Sequence, residues 1–293
     1  MGKIISIVNQ KGGVGKTTTA VNLASAVGIA GKKVLLIDLD PQGNTTSAYG
    51  IAKNTKNTSY SLLMGEIPAG EAVIKTAFKN VDVIPTTMDL AGAEIELISV
   101  SSRENALKNA LSSIRDNYDF IFIDCPPSLS IITINALTAS DSFLVPIQCE
   151  YFALEGLSQL MASVRQVKLR YNSLIELEGV LLTMYDGRLN LTQQVVNEVQ
   201  NLQHTGTGNA DNIGNIRQQR ILGPGFQFPV DRLVAGIEEV EHFLIFAEGG
   251  RCPGQELVNL LRQTVPQGQN AFIQLGCDHN DQRIDDENAG YQA

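Results

Sequence analysis

Lysine is missing from this 293-residue chain beyond Lys168, although eleven lysines occur up to that point. From Gln200 onward six arginines are set against twelve acidic residues, and the net charge of the whole chain is −9. Such a balance argues against a protein that coats nucleic acid through overall positive charge. Any contact with DNA would therefore need a local basic patch.

Cysteines and long apolar runs are also few. The four cysteines, Cys125, Cys149, Cys252 and Cys277, form no CxxC pair, which argues against a disulfide framework or a thiolate metal site and favours reduced thiols. No histidine lies near Cys125 in sequence, so we expect a core residue there rather than a nucleophile. No apolar stretch approaches the ~20 residues of a membrane helix, and the first predicted strand leaves no room for a signal peptide. We expect a cytoplasmic protein without membrane contact.

The first 199 residues contain a regular alternation of strand and helix patterns. Runs rich in Val, Ile and Leu predict strands at 4–8, 33–38, 81–85, 120–124, 142–146 and 179–184. Helical patterns lie between or after them at 17–30, 89–98, 103–116, 130–138, 153–171 and 190–202. Nearly continuous apolar runs are typical of strands that are covered on both faces. We therefore predict a doubly wound α/β fold with a mostly parallel sheet.

The segment KGGVGKTT joins the first predicted strand to the first predicted helix. A strand, a glycine-rich turn and a helix N-terminus in this order direct backbone N–H groups at an anion, which predicts a phosphate-binding loop, or P-loop. Lys16 would supply charge to the β and γ oxygens of a nucleotide, and the Thr17 hydroxyl would bind Mg²⁺. The predicted nucleotide-binding residues are Lys11, Gly12, Gly13, Val14, Gly15, Lys16, Thr17 and Thr18. A purely structural glycine turn, the alternative, leaves two lysines and two threonines at one helix start unexplained.

Lys11 is a second lysine in this loop, and closing the turn does not require it. A cation that faces the γ-phosphate would stabilise charge developing during transfer, as an arginine finger does. A lysine at this place is the signature of the deviant Walker A class, which this chain resembles and in which the lysine reaches the nucleotide of the opposing subunit. A solvated surface lysine is the alternative.

Three aspartates follow predicted strands and would complete the site. Asp38 and Asp40 lie two residues apart at the end of one strand, which places both on one face at the edge that carries the loop. One acid can orient a magnesium-bound water while the other positions or activates the attacking water. Asp124 ends the strand at 120–124, where a Walker B carboxylate would anchor Mg²⁺. Turn or capping roles are the alternatives for these acids.

Six segments together resemble the ParA/Soj family of partition ATPases: KGGVGKTTTAVNLA, IDLDPQGNTTS, AGAEIEL, FIDCPPSLSIITINALTASD, VPIQCEYFALEGL and GVLLTMYDGRLNL. The resemblance extends from Met1 to about Val199. It implies an ATPase that uses ATP and Mg²⁺, forms a nucleotide-sandwich homodimer, binds DNA nonspecifically and is stimulated by a ParB/Spo0J-like protein. It also implies a cytoplasmic protein that is nucleoid-associated if DNA binding is retained.

The resemblance further implies roles for single residues. Lys11 would cross the dimer interface and act in catalysis together with Lys16, and Asp40 would position the water for hydrolysis. The metal would be held by Thr17 and supported by Asp38 and Asp124. The stretch from Gln148 to Tyr151 resembles one near the dimer interface of the family; an ordinary strand-to-helix loop is the alternative.

The resemblance fades near residue 200. We predict a P-loop ATPase domain at 1–199, a divergent segment at 200–263 that can complete the same domain, and a loosely ordered polar and acidic tail at 264–293. The stretch that contributes to adenine and DNA binding in the family has only a faint counterpart at 216–230. A reading-frame change, recombination and a fused foreign segment are all compatible with this change.

Three functions are compatible with these residues. The leading hypothesis is a chromosome or plasmid partition ATPase that hydrolyses ATP to ADP and phosphate. A nucleotide-binding regulatory protein would act through a protein partner without DNA, as the acidic, lysine-free C-terminal third suggests. An impaired paralogue would keep the phosphate loop but lack the adenine wall.

Overall fold

The computed structural model describes residues 1–150, 153–184 and 195. Its strands are β1 (Lys3–Ile7), β2 (Val34–Asp38), β3 (Ile74–Lys75), β4 (Val81–Ile84), β5 (Phe120–Asp124), β6 (Ser142–Gln148) and β7 (Glu176–Thr183). Its α-helices are α1 (Lys16–Ile29), α2 (Asn44–Ala48), α3 (Ser59–Leu63), α4 (Ala69–Ala72), α5 (Leu90–Glu96), α6 (Ala106–Leu111), α7 (Ile131–Ala139) and α8 (Ala153–Arg170). Short 3-10 helices lie at Leu97–Ser99, Arg103–Asn105 and Arg115–Asn117.

The strands form one sheet in the order β3-β4-β2-β5-β1-β6-β7. All neighbouring strands are parallel except β3 and β4, which pair antiparallel at one edge. This arrangement confirms the predicted doubly wound, mostly parallel α/β fold. The connection from β1 to β2 passes over β5, which lies between them, and α1 makes that crossing.

Alternate residues of the central strands enter two separate cores. In β2, Leu35 and Ile37 belong to the larger core, whereas Val34 and Leu36 belong to the smaller one. The larger core is covered by residues of α3 to α8, and the smaller one by α1. Both faces of the strands are therefore apolar, which explains the uninterrupted hydrophobic runs in the sequence.

The six predicted strands are confirmed within a few residues, but the helix predictions are less complete. The helix predicted over 103–116 is confirmed in part, since the range contains α6 flanked by 3-10 helices at Arg103–Asn105 and Arg115–Asn117. At the end of α6 the Ser112 hydroxyl and N–H both donate to the carbonyl of Asn109, which tightens the last turn. Sequence patterns also missed α2, α3, α4 and β3, which are too short to show a periodicity.

Several predictions lie outside the described residues. Of the helix predicted at 190–202 the structure describes Val195 alone, which is helical and buried. The proposed segments at 200–263 and 264–293 fall entirely outside, so the three-part division of the chain stays a prediction. Within the described part of the chain, no helix combines the length and apolar character needed to cross a bilayer.

The strand register brings the candidate site together. Ile7, the last residue of β1, pairs with Asp124, the last residue of β5, and Asp124 in turn pairs with Asp38 at the end of β2. Because these strands are parallel, their carboxyl ends meet at one edge of the sheet. The phosphate loop leaves the same edge between β1 and α1.

Candidate functional site

The loop between β1 and α1 turns through two glycines in the left-handed region. Gly13 has φ 75° and Gly15 has φ 87°, values that residues with a Cβ rarely adopt. A Cβ added to Gly12 or Gly13 would meet no atom within 4 Å, so this part of the loop faces open space. The backbone can thus approach a ligand closely, as a phosphate-binding loop requires.

Two side chains that the sequence analysis missed anchor the loop. The buried Asn9 donates from Nδ2 to Pro146 O at 2.7 Å and accepts from Lys11 N at Oδ1 at 2.9 Å, which ties the loop to β6. Thr183, at the end of β7, donates from Oγ1 to Val14 O at 2.9 Å. The sequence could have indicated Asn9, because it is a polar amide directly after the first predicted strand. It contained no signal for Thr183, which lies 169 positions from Val14.

Lys16 is the cation at the centre of the site. Only 7% of the residue is exposed, and its Nζ donates to Lys11 O at 2.9 Å. Burial lowers the pKa of Lys16, while the charges of Asp124 and Asp40 act in the opposite direction. A partly desolvated ammonium beside an open glycine loop favours binding of an anion, because the anion supplies the missing charge compensation.

Lys11 lies apart from that centre. Its side chain is partly exposed and forms an ion pair with Glu150, which follows β6. The structure therefore places one loop lysine in the interior of the site and the other on the surface.

Asp124 is fully buried below the loop. Its Oδ2 accepts from the Thr45 hydroxyl at 2.8 Å, whereas its Oδ1 has no hydrogen-bond partner among the described residues. Burial and then the charge of Asp38 raise the pKa of Asp124 to about 7, while the hydrogen bond from Thr45 and the nearby Thr17 hydroxyl, which lies outside hydrogen-bonding geometry, lower it in part. A buried carboxylate oxygen without a donor is an open position for a cation.

Asp38 uses both of its carboxylate oxygens within the protein. Oδ2 accepts from the N–H and the hydroxyl of Thr46 at 2.8 and 2.7 Å, and Oδ1 accepts from Asp40 N at 3.1 Å. Burial raises the pKa of Asp38 to about 6, with the Thr46 hydrogen bonds acting against that rise. In this geometry Asp38 holds the turn between β2 and α2 in place.

Asp40 belongs to that turn. Only 9% of the residue is exposed; its Oδ1 accepts from Gln42 N at 3.0 Å, and its carbonyl accepts from Gly43 N at 2.8 Å. Gly43 has a positive φ of 65° that closes the turn. The sequence analysis left a turn role and a site role open for Asp40. The structure shows the turn role, and the charge of Asp40 also acts on Lys16.

Comparisons with known proteins show the family of this chain. The AAA domain family matches residues 2–177. Over 200 residues the chain is 56% identical to the sporulation initiation inhibitor protein Soj of Bacillus subtilis, with 68% of this chain and 79% of that protein covered. It is 50% identical to the chromosome partitioning protein ParA of Caulobacter vibrioides, with 67% and 75% covered. The chain belongs to the Soj/ParA family.

Solved structures share the fold of this Soj/ParA chain. A cobyrinic acid a,c-diamide synthase from Mycobacterium smegmatis with bound ADP and magnesium superposes with a TM-score of 0.66 at 37% identity, covering 69% of this chain and 82% of that one. A putative plasmid partition protein from Borrelia burgdorferi bound to AMPPNP gives a TM-score of 0.62 at 29% identity, covering 68% and 83%. Both likenesses support the doubly wound α/β assignment.

The donor set of this Soj/ParA chain fits magnesium. The described residues contain no group of three or more His, Cys, Asp or Glu side chains that could hold a metal by themselves. Mg²⁺ does not need such a group, since it is commonly held by one or two protein oxygens together with phosphates and water. The unpartnered Oδ1 of Asp124 and the nearby Thr17 hydroxyl are oxygens of this type.

The predicted residues thus separate into a cluster and a surface contact. Asp38 and Asp124 are paired in the strand register, Asp40 N donates to Asp38 Oδ1 at 3.1 Å, and the charges of Asp124 and Asp40 act on Lys16, so these four residues form one cluster. Lys11 lies outside this cluster and contacts Glu150.

Cys125 is fully buried, and burial raises its pKa well above the usual range, which confirms the expected core residue. The sequence analysis missed Thr45 and Thr46, which hydrogen-bond to the carboxylates from α2, a helix too short to be recognised from sequence.

Proposed function

We propose that this chain is a partition ATPase that binds ATP with Mg²⁺ and hydrolyses it to ADP and phosphate. The observation that carries the proposal is the buried pair of Lys16 and Asp124 beneath an open glycine loop: the lysine lacks full charge compensation and the carboxylate has an unpartnered oxygen. An anion with an associated divalent cation satisfies both. Nucleotides are named as ligands for the M. smegmatis and B. burgdorferi structures, which supports the choice of ligand.

In this proposal each residue has one task. The backbone N–H groups from Gly12 to Thr18 and the Lys16 ammonium hold the phosphates. Thr17 and Asp124 hold the cation, whose charge stabilises the oxygens of the transferred group when it is bound. Asp38 supports the metal site from the adjacent strand by fixing the turn through Thr46.

Asp40 is proposed to position the attacking water. It follows Asp38 by two residues, lies within the electrostatic reach of Lys16 and Asp124, and is held by its own turn hydrogen bonds. A carboxylate with a fixed backbone can orient a water without a large entropy cost at the moment of reaction.

The proposal extends to the oligomeric state, DNA binding and partner protein, and it is based on the relatives of this chain. We propose a nucleotide-sandwich homodimer to which each subunit contributes Lys11, nonspecific binding to DNA, and stimulation by a ParB-like protein. This assigns the protein to the cytoplasm and, when bound to DNA, to the nucleoid. Support comes from two relatives that act in chromosome partitioning, the ParA protein of Caulobacter vibrioides and the Soj ATPase of Treponema pallidum.

Nucleotide binding and turnover test the core of the proposal. We expect the full chain to bind an ATP analogue with Mg²⁺ in calorimetry and to release phosphate from ATP. Lys16→Ala should lose at least about a hundredfold in nucleotide affinity, and Asp40→Ala should keep affinity but lose most turnover. Lys108→Ala, which removes an exposed lysine of α6, is the matched control. Wild-type protein that binds no nucleotide would rule out the proposal.

DNA binding requires a separate test, because the C-terminal third contains no lysine. With ATP and Mg²⁺ we expect a gel shift on DNA of any sequence that weakens steeply between about 50 and 200 mM salt, as phosphate contacts do. Nucleotide binding without any salt-sensitive shift would favour the second candidate, a regulatory protein that acts on a protein partner. For that candidate, immobilised ATP-bound protein should capture a partner from a DNA-free extract.

A further inference from the structure

The ion pair between Lys11 and Glu150 joins the phosphate loop to the end of β6 across 139 positions of the chain. About two-fifths of each side chain is exposed, 42% for Lys11 and 43% for Glu150. Within residues 1–150, 153–184 and 195, Lys11 forms an ion pair with no acid other than Glu150. The charges of Asp40 and Asp124 act instead on Lys16.

The backbone of Lys11 is fixed on both sides of its side chain. Its N–H donates to Asn9 Oδ1 at 2.9 Å, and its carbonyl accepts from Lys16 Nζ at 2.9 Å. The Lys11 ammonium can therefore change partners by rotating its flexible four-carbon stem while the Asn9 contact keeps the loop anchored. In a single subunit, the ion pair with Glu150 fixes the position of that ammonium.

We propose that Glu150 is a positioning residue that holds Lys11 within its own subunit and releases it when Lys11 reaches the nucleotide of a second subunit. This inference rests on the nucleotide-sandwich dimer proposed above. A carboxylate next to the ammonium cancels much of its attraction for an approaching phosphate and adds repulsion of its own. Glu150 thus opposes dimerisation, and the exposure of the pair keeps that opposition weak enough for ATP to overcome.

The proposal predicts that removing the carboxylate favours the dimer. Glu150→Gln keeps the size of the side chain and removes its charge. Formation of a two-fold symmetric dimer breaks two Lys11–Glu150 ion pairs. If the loss of each pair increases the dimer affinity a few-fold, Glu150→Gln should lower the dimer dissociation constant about tenfold at low salt. The difference should shrink at high salt, because exposed charges are screened within about 3–4 Å near 1 M salt.

Sedimentation equilibrium of the full chain with ATPγS and Mg²⁺ measures this effect directly. Glu150→Asp, which keeps the charge, should restore a dissociation constant near that of the wild type. Glu155→Gln removes an exposed carboxylate from the first turn of α8 and is the matched control, with no change expected. Thermal melts without nucleotide, together with nucleotide affinity at concentrations where the protein is monomeric, should be the same for all four proteins.

The turnover assay adds a readout that a purely structural role would not change. The protein concentration at half-maximal turnover should fall about tenfold in Glu150→Gln, while turnover per dimer at saturation stays within about twofold. An unchanged or weaker dimer in Glu150→Gln, with a normal wild-type dimer, would overturn the role of Glu150 alone. A wild-type protein that binds ATPγS but never dimerises would overturn the proposed sandwich dimer as well.

Discussion

Asp38 and Asp124 occupy paired register positions at the carboxyl ends of the adjacent strands β2 and β5, and both are fully buried. The charge of Asp38 raises the pKa of Asp124, after the larger effect of burial. Two carboxylates this close cannot both be ionised cheaply without a cation between or beside them. Lys16 supplies one positive charge near Asp124, and a metal ion bound at the site would offset more of this cost.

This relationship predicts how stability depends on pH. The folded pKa values are raised, to about 6 for Asp38 and about 7 for Asp124, from a usual value of 3.8. The folded protein therefore binds more protons than the unfolded chain between about pH 4 and 7, and these groups make stability fall as pH rises through that window. One such group changes the free energy of unfolding by at most about 1.4 kcal/mol per pH unit.

Asp124→Asn tests that dependence. Without nucleotide, the wild type should lose stability between pH 5 and pH 8 in urea unfolding, and the variant should lose measurably less. Glu94→Gln, which changes an exposed carboxylate of α5, should follow the wild type. Mg²⁺ with an ATP analogue should stabilise the wild type more at pH 8 than at pH 5, because the cation binds the ionised form. Equal pH slopes for wild type and Asp124→Asn would contradict the assignment.

The contact between Thr183 and Val14 predicts a link between β7 and nucleotide affinity. Thr183→Val keeps the shape of the side chain but removes the hydroxyl that donates to Val14 O at 2.9 Å. We expect about 1 kcal/mol of lost stability, because a buried carbonyl loses its donor, and a several-fold weaker nucleotide affinity. Thr183→Ser retains the hydroxyl and should bind nearly as the wild type in calorimetry. Equal affinity of Thr183→Val and the wild type would show that the loop holds its shape without this anchor.

The close packing of α1 against the start of β4 predicts a strong effect of one methyl group. A Cβ at Gly28 would lie 2.6 Å from Lys79 O and 2.7 Å from Val81 Cγ2, so the helix or the loop must move. Gly28→Ala should destabilise the protein by about 2–3 kcal/mol in chemical unfolding. Gly70→Ala in α4, where an added Cβ meets no atom within 4 Å, should be neutral or slightly stabilising. Similar stabilities for the two variants would contradict the packing at Gly28.

The ion pair of Lys3 and Glu178 predicts a cost for removing only one partner. Lys3 Nζ lies 2.8 Å from Glu178 Oε2, and the Glu178 side chain is only 4% exposed. Lys3→Met should destabilise by about 3 kcal/mol, because it leaves a buried carboxylate without its cation. The double variant Lys3→Met/Glu178→Leu should recover a large part of that loss, while nucleotide affinity stays unchanged in both. Additive effects in this double-mutant cycle would show that the two charges are not coupled.

Much of the fold was predictable because the central strands are apolar on both faces. Runs such as Val34–Asp38 and Phe120–Asp124 are apolar up to their last residue. The sequence alone therefore predicted that they are buried strands and approximately where they begin and end. The short elements α2, α3, α4 and β3 did not, since two to five residues show no periodicity and their geometry depends on neighbours. The same reason explains why one helix was predicted over 103–116.

Some features of the candidate site were also predictable from the sequence, whereas others required the tertiary structure. KGGVGKTT and the strand-end aspartates were sufficient to predict a phosphate and cation site, because such motifs depend on local backbone and residue type. The tertiary structure decided which oxygen of Asp124 is unpartnered, that Asp38 uses both oxygens on the adjoining turn, and that Lys11 meets Glu150. The contacts of Asp124 with Thr45 and of Lys11 with Glu150 join residues 79 and 139 positions apart, which meet only when the parallel strands come into register. The contacts of Asp38 are local, but they depend on the conformation of the turn that follows β2.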